Sequence, residues 1–277
     1  MTSANIQLSI DKARATFLKG TQWPSEYTIR VCFLDNNQQK KDWVKQIVEQ
    51  HIQPLVNLKF KWDSGVNDSD IRITFNPELG AWSALGTQAN IISNTEATMN
   101  LGWLDTNDDY DTPVAKGTGA VVVHEFGHLL GMIHEHSRED VPFTWNKDVV
   151  YKALGCPPNC WDKNVVDFNI FNTYNLDQLN NYSQYDKDSI MHYWFPPNFF
   201  IPSFMFQRAT KLSDLDKQWI TKAYPKVEIK EINITTKNNS PTSYFLTISF
   251  FILIFGLVIF LIWRRFQYKL INILQFI

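Results

Sequence analysis

Apolar residues recur along the first 226 positions in two rhythms, one of period two and one of about 3.6. "YTIRVCFL" (Tyr27–Leu34) has strand composition. "LKFKW" (Leu58–Trp62) and "IRITF" (Ile71–Phe75) alternate apolar with polar, as half-buried strands do, and "ATMNLGWL" is a shorter fourth candidate. "QQKKDWVKQIVEQHI" instead carries Trp43, Ile47, Val48 and Ile52 at helical spacing, and Pro54 stops it. "DTPVAKGTGAVVVHEFGHLLG" opens on Thr112 and Pro113, an N-cap and N1 pair, and predicts a long helix. "LSDLDKQWITKAYP" predicts another, capped by Ser213 in an S-x-x-D box with Asp216, its buried face made by Trp219, Ile220 and Ala223. Strands and helices alternate early and a loop-rich half follows, an α+β order with a twisted sheet.

Both rhythms end before "YFLTISFFILIFGLVIFLIW" (Tyr244–Trp263), which holds no charge. At about 1.5 Å per residue it spans roughly 30 Å, the thickness of a bilayer's hydrocarbon core. Tyr244 and Trp263 suit the two interfaces, and Arg264, Arg265 and Lys269 follow. The organisation expected is a globular domain over 1–226, a polar stalk over 227–243, a transmembrane helix over 244–263 and a short basic tail over 264–277. Positive charge after the span, with N-x-S/T sequons at Asn67, Asn181, Asn233 and Asn238, favours an extracellular or lumenal globular domain. The opening "MTSANIQLSIDKARATFLKG" lacks the apolar run of a signal peptide, which leaves a tail-anchored cytosolic orientation as the alternative.

A net charge of -2 gives no basic footprint for nucleic acid. The three cysteines make no disulfide framework; Cys156 and Cys160, bracketing "PPN", are either a local bridge or two free thiols. Nothing in the composition fixes an oligomeric state.

Four of the six histidines fall in "HEFGHLLGMIHEHSR", His124 to Arg138. His124 and His128, four apart on a helix, lie one turn above each other and can reach a single ion. Glu125, rotated by one residue, is placed to hydrogen-bond a water beside that ion. His134 would lie beyond the site if the helix continued, but Gly131 tolerates a positive φ and lets the chain reverse there. One histidine on an apolar helix face is more often a core residue than a ligand; three at these offsets, with a glutamate and a glycine, point to Zn2+ with one coordination position left open.

The string His124-Glu-x-x-His128-x-x-Gly131-x-x-His134 resembles the signature of the metzincin zinc proteases, and "SIMHYW" (Ser189–Trp194) resembles that clan's methionine turn. "HEHSRED", through Glu135, Arg138 and Asp140, and the triplet Met191-His192-Tyr193 resemble the astacin subfamily. The resemblance covers about residues 20–226 and departs from astacins proper in its few cysteines. It implies a zincin-like catalytic domain, with a twisted mixed sheet, an active-site helix and a loop-rich C-terminal subdomain, here followed by a single transmembrane helix. It implies a zinc endopeptidase acting on a protein or peptide, and the apolar stretch adds a membrane anchor, with lipid contact through residues 244–263. Zinc would be held by His124, His128 and His134, with Glu125 as general base toward a zinc-activated water and Tyr193 stabilising the oxyanion. Met191 would form a packed floor. Glu135 is expected to anchor a trimmed N-terminus or to pair with Arg138, and His192 to be structural. No constellation is visible around His136 or His51. Thr98–Trp103 is read as the sheet edge to which substrate adds, or as an ordinary edge. The competing reading is a catalytically inactive metzincin-fold adhesion protein at a membrane surface, against which the intact Glu125 and Tyr193 speak. A zinc amidohydrolase is disfavoured by Gly131 and the methionine turn.

Overall fold

The computed structural model describes residues 17–107, 119–157, 159–180, 184–205 and 207–226. The expected helix start at Thr112–Pro113, the sequons at Asn181, Asn233 and Asn238, and the stalk, span and tail over 227–277 lie outside them. Among the described residues no helix is long and apolar enough to cross a membrane.

The main sheet has five strands: β2 (Thr28–Phe33), β3 (Lys59–Lys61), β4 (Ile71–Thr74), β5 (Ala81–Ser83) and β6 (Met99–Leu101). Their order is β3-β2-β4-β6-β5, with β5 antiparallel to β6 and the rest parallel. A short β1 (Phe17–Leu18) pairs with β8 (Leu179–Asn180), and β7 (Thr144–Trp145) with β9 (Phe200–Ile201). Helix α1 (Gln38–His51) starts where the Asn37 side chain accepts the Lys40 N–H, and it buries Val44, Ile47 and Val48. Helix α2 (Gly119–Leu129) is buried on every side, packs against α1, and brings Phe126 to Phe60 and Trp62 of the β3 segment, 5.7 and 6.4 Å between rings.

Two expectations about the sheet need correction. β4 does not alternate: Ile71, Arg72 and Ile73 are all buried, because a central parallel strand is covered on both faces. The Arg72 guanidinium is accommodated there by the carbonyls of Glu96, Ile92 and Ser69 at 2.6, 3.1 and 3.3 Å, which satisfy a charge that would otherwise be costly to bury. Nor is the Thr98–Trp103 stretch an edge. β6 lies between β4 and β5, and the edge beside α2 is β5.

Beyond the sheet, α3 (Lys147–Leu154), the short α4 (Lys163–Val166) and β9 enclose a smaller core of Val150, Val166, Ile170, Phe195, Phe199 and Phe200. Helix α5 (Asp214–Ala223) carries the capping box read from the sequence, Ser213 Oγ accepting from the Asp216 N–H and Asp216 Oδ2 from the Ser213 N–H. Cys156 and Cys160 are exposed free thiols.

Candidate metal centre

Helix α2 supplies His124, Glu125 and His128, and how it ends decides what joins them. Gly131 has φ +97°. The Met132 N–H reaches back to Gly127 O at 3.0 Å and the Gly131 N–H to His128 O at 2.8 Å. These are the paired bonds of a Schellman C-cap. Distant residues take the carbonyls that the helix end leaves over. Trp23 Nε1–H donates to Leu129 O (2.8 Å), the Tyr224 hydroxyl to Leu130 O (2.6 Å) and the Leu18 N–H to Gly131 O (3.0 Å). The chain reverses and sets His134 against the helix. A Cβ on Gly131 would stand 2.7 Å from Thr21 Oγ1, on a left-handed backbone that strains any residue with a side chain. Gly131→Ala is therefore expected to cost about 1–2 kcal/mol from the backbone alone, a fall in Tm of about 2–8 °C. Thermal melting checks the loss, and a Tm equal to that of the unaltered chain would contradict this account of the turn.

The three imidazoles converge. His134 Nε2 lies 3.3 Å from His124 Nε2 and 3.0 Å from His128 Nε2. The Nδ1 atoms of His124 and His128 face the carbonyls of Ile190 and Met132, each at 2.7 Å. A carbonyl only accepts, so Nδ1 carries the proton and Nε2 presents a lone pair. Burial holds all three rings below the ordinary histidine pKa, His128 at about 3. The Nε2 lone pairs of His124 and His128 both face His134 Nε2, and one cation placed between the three rings would accept a lone pair from each. Zn–N bonds of about 2.0–2.1 Å in a tetrahedron place nitrogens about 3.3–3.4 Å apart, close to the spacing found, so the residues present fit zinc.

Around this triad stand two more groups. Glu125 is buried, and its Oε2 has no hydrogen-bond partner among the described residues; burial raises its carboxyl well above the ordinary value. The Tyr193 ring lies 4.1 Å from that of His134, and burial, then the Glu125 charge, raise its phenol. Met191 is fully buried, its Sδ where a Cβ on Gly127 would stand 2.4 Å away. Glycine at 127 is what lets the thioether reach the helix.

The remaining histidines divide differently from expectation. His136 has surroundings after all. It is fully buried, stacked 4.9 Å from Tyr193 and 5.2 Å from His134, with Nε2 3.4 Å from Asn169 O. No local pattern announces this, because the packing comes from the distant Tyr193 and Phe195. His192 accepts the Tyr185 hydroxyl at Nε2 (2.7 Å) and donates from Nδ1 to Tyr193 O (2.6 Å), away from the triad. Glu135 pairs with the buried Arg138 at 2.8 Å and accepts the Asp186 N–H at 2.8 Å. Arg138 also makes a two-pronged pair with Asp140 at 2.7 and 2.8 Å, the geometry in which a guanidinium holds a carboxylate best.

The fold has counterparts among solved structures. A structure of myroilysin superposes with a TM-score of 0.70 at 36% sequence identity, covering 77% of this chain and 100% of that one. The chain belongs to the astacin-family zinc metalloproteases. A crystal structure of myroilysin matches at TM-score 0.54 and 35% identity over 77% of this chain and 92% of that one. High choriolytic enzyme 1, a hatching enzyme zinc-protease from the medaka Oryzias latipes, is 16% identical with a TM-score of 0.47, covering 76% of this chain and 97% of that one. No protein-family model and no curated protein matches the sequence. Zinc is the cofactor of this astacin-like metalloprotease, and the His124, His128 and His134 triad fits a zinc site.

Proposed function

We propose that the protein is a membrane-anchored zinc endopeptidase in which Glu125 is the general base. The observation that carries this reading is the buried Glu125 Oε2, without a hydrogen-bond partner among the described residues, one residue from a neutral imidazole triad. Zinc, when bound, acidifies water and polarises the scissile carbonyl. Glu125, whose proton affinity is raised by burial, takes the proton of the attacking water and passes it to the departing amine. The Tyr193 hydroxyl donates to the oxyanion that develops as the carbonyl is attacked; its raised pKa keeps it protonated for that role.

An extended substrate has a strand to join. Gly80 O and Ala84 N of the β5 segment bond to Gly102 N and Thr98 O, so the backbone groups of Ala81 and Ser83 between them face away from β6. Substrate pairing along that edge holds the chain extended beside α2.

Residues 244–263 supply the anchor in this reading, and the basic residues after them favour a catalytic domain on the extracellular or lumenal side. The test is to express the full chain, extract its membranes with alkaline carbonate, and give the zinc-loaded protein a peptide library whose products are sequenced by mass spectrometry. Retention in the membrane pellet and cleavage at internal bonds are expected. Release into the supernatant overturns the anchor. Absence of cleavage, or trimming only from peptide ends, overturns the endopeptidase.

A further inference from the structure

We propose that Asp216 is a positioning residue for the metal site, acting from helix α5 through the methionine turn. In a capping box this carboxylate needs only the Ser213 N–H, which it accepts at 3.0 Å. It does more. Oδ1 accepts the Ser189 hydroxyl at 2.7 Å and Oδ2 the Ile190 N–H at 2.8 Å, in a side chain that is 2% exposed. Ser189 Oγ in turn accepts the Met191 N–H at 3.0 Å. One buried carboxylate thus fixes three consecutive residues of the turn.

That turn touches the surroundings of every ligand. Ile190 O accepts from His124 Nδ1, setting the tautomer that leaves Nε2 free for the metal. Met191 Sδ lies against Gly127, between His124 and His128 on α2. Met191 O accepts the N–H of Glu135, the residue after His134, at 3.0 Å. Partners of this outer kind orient ligating imidazoles, and their loss weakens metal binding about 10–100-fold. The Ser213 and Ile190 N–H groups can only donate, so Oδ2 must accept, and the Ser189 hydroxyl, which accepts the Met191 N–H, gives its proton to Oδ1. Asp216→Asn keeps the shape but turns an NH2 group toward at least one of those donors.

This inference rests on the zinc site described above, and the test keeps the two apart. Zinc dissociation constants of the full chain are measured by competition with a chromophoric chelator, alongside the visible absorption of the cobalt(II)-loaded protein. Asp216→Asn is expected to raise the zinc dissociation constant about 10–100-fold and to change the cobalt spectrum. Ser213→Ala, which weakens the helix cap but leaves Ser189 and Ile190 clamped, is expected to change neither. An Asp216→Asn protein that melts lower yet binds zinc as tightly, with the same spectrum, overturns the proposal. So does a Ser213→Ala protein that loses as much affinity. If Asp216→Asn does not fold, Ser189→Ala decides: it cuts the link from Oδ1 to Met191, and unchanged zinc affinity overturns the role. An unaltered chain that binds no zinc refutes the metal site itself.

Discussion

Glu125→Gln is expected to lower kcat by about 10²–10⁴-fold while the protein still binds one zinc per chain. Glutamine at this position keeps the size and polarity of the side chain but cannot take a proton at neutral pH. The three imidazoles are untouched, since Glu125 is not among the converging nitrogens. Stability is expected to hold or rise: Glu125 is a buried carboxyl whose Oε2 lacks a partner among the described residues, and an amide is cheaper to desolvate than a carboxylate. Steady-state kinetics on a cleaved peptide, metal analysis and a melting curve on the same preparation check the three parts. A variant with zinc bound and kcat unchanged removes Glu125 from the mechanism.

Removing zinc with a chelator is expected to abolish hydrolysis and to lower the Tm, both restored by added zinc. A ligand present at a thousand times its dissociation constant stabilises the folded state by about 4 kcal/mol, which for a domain of this size moves the Tm by about 8–16 °C. Acid works in the same direction. Burial holds His128 and His136 at pKa values of about 3, whereas an unfolded chain titrates its histidines at about 6.5. At these rings the unfolded state binds more protons than the folded one below a pH of about 6.5, so the stability they contribute is lost progressively down to about pH 3. Calorimetry of the metal-free protein across that range gives the slope. A Tm that rises on acidification would contradict burial of neutral rings.

Part of this is open to inspection in the chain itself. His124 and His128 are four apart, and helical geometry alone stacks them. Gly131 announces a reversal because its lack of a Cβ is a local property, and the Ser213–Asp216 box is local in the same way. The sheet is less legible. Every strand of its parallel part is foreseeable from composition and alternation, yet Met99–Leu101 proves interior where an edge was expected, and β4 is covered on both faces. The order of strands depends on which distant segments pair, and a period of two describes only how one strand's side chains alternate.

The residues around the ligands follow the same division. His136 lies two positions from a ligand with no local sign of company; its partners Tyr193 and Phe195 come from far along the chain. Gly127 reads as an ordinary helix glycine until Met191 is seen against it. Asp216 is legible as a cap and illegible as a clamp, because the cap lies within its own turn of helix and the clamp spans 26 and 27 residues of chain. Residue order alone determined which imidazoles converge, their spacing and the point where the helix stops, since those follow from backbone geometry over a few residues. Which ring nitrogen carries the proton, what holds the methionine turn and which strand offers a free edge were settled by tertiary packing, since each depends on a buried polar group finding its partner across the fold.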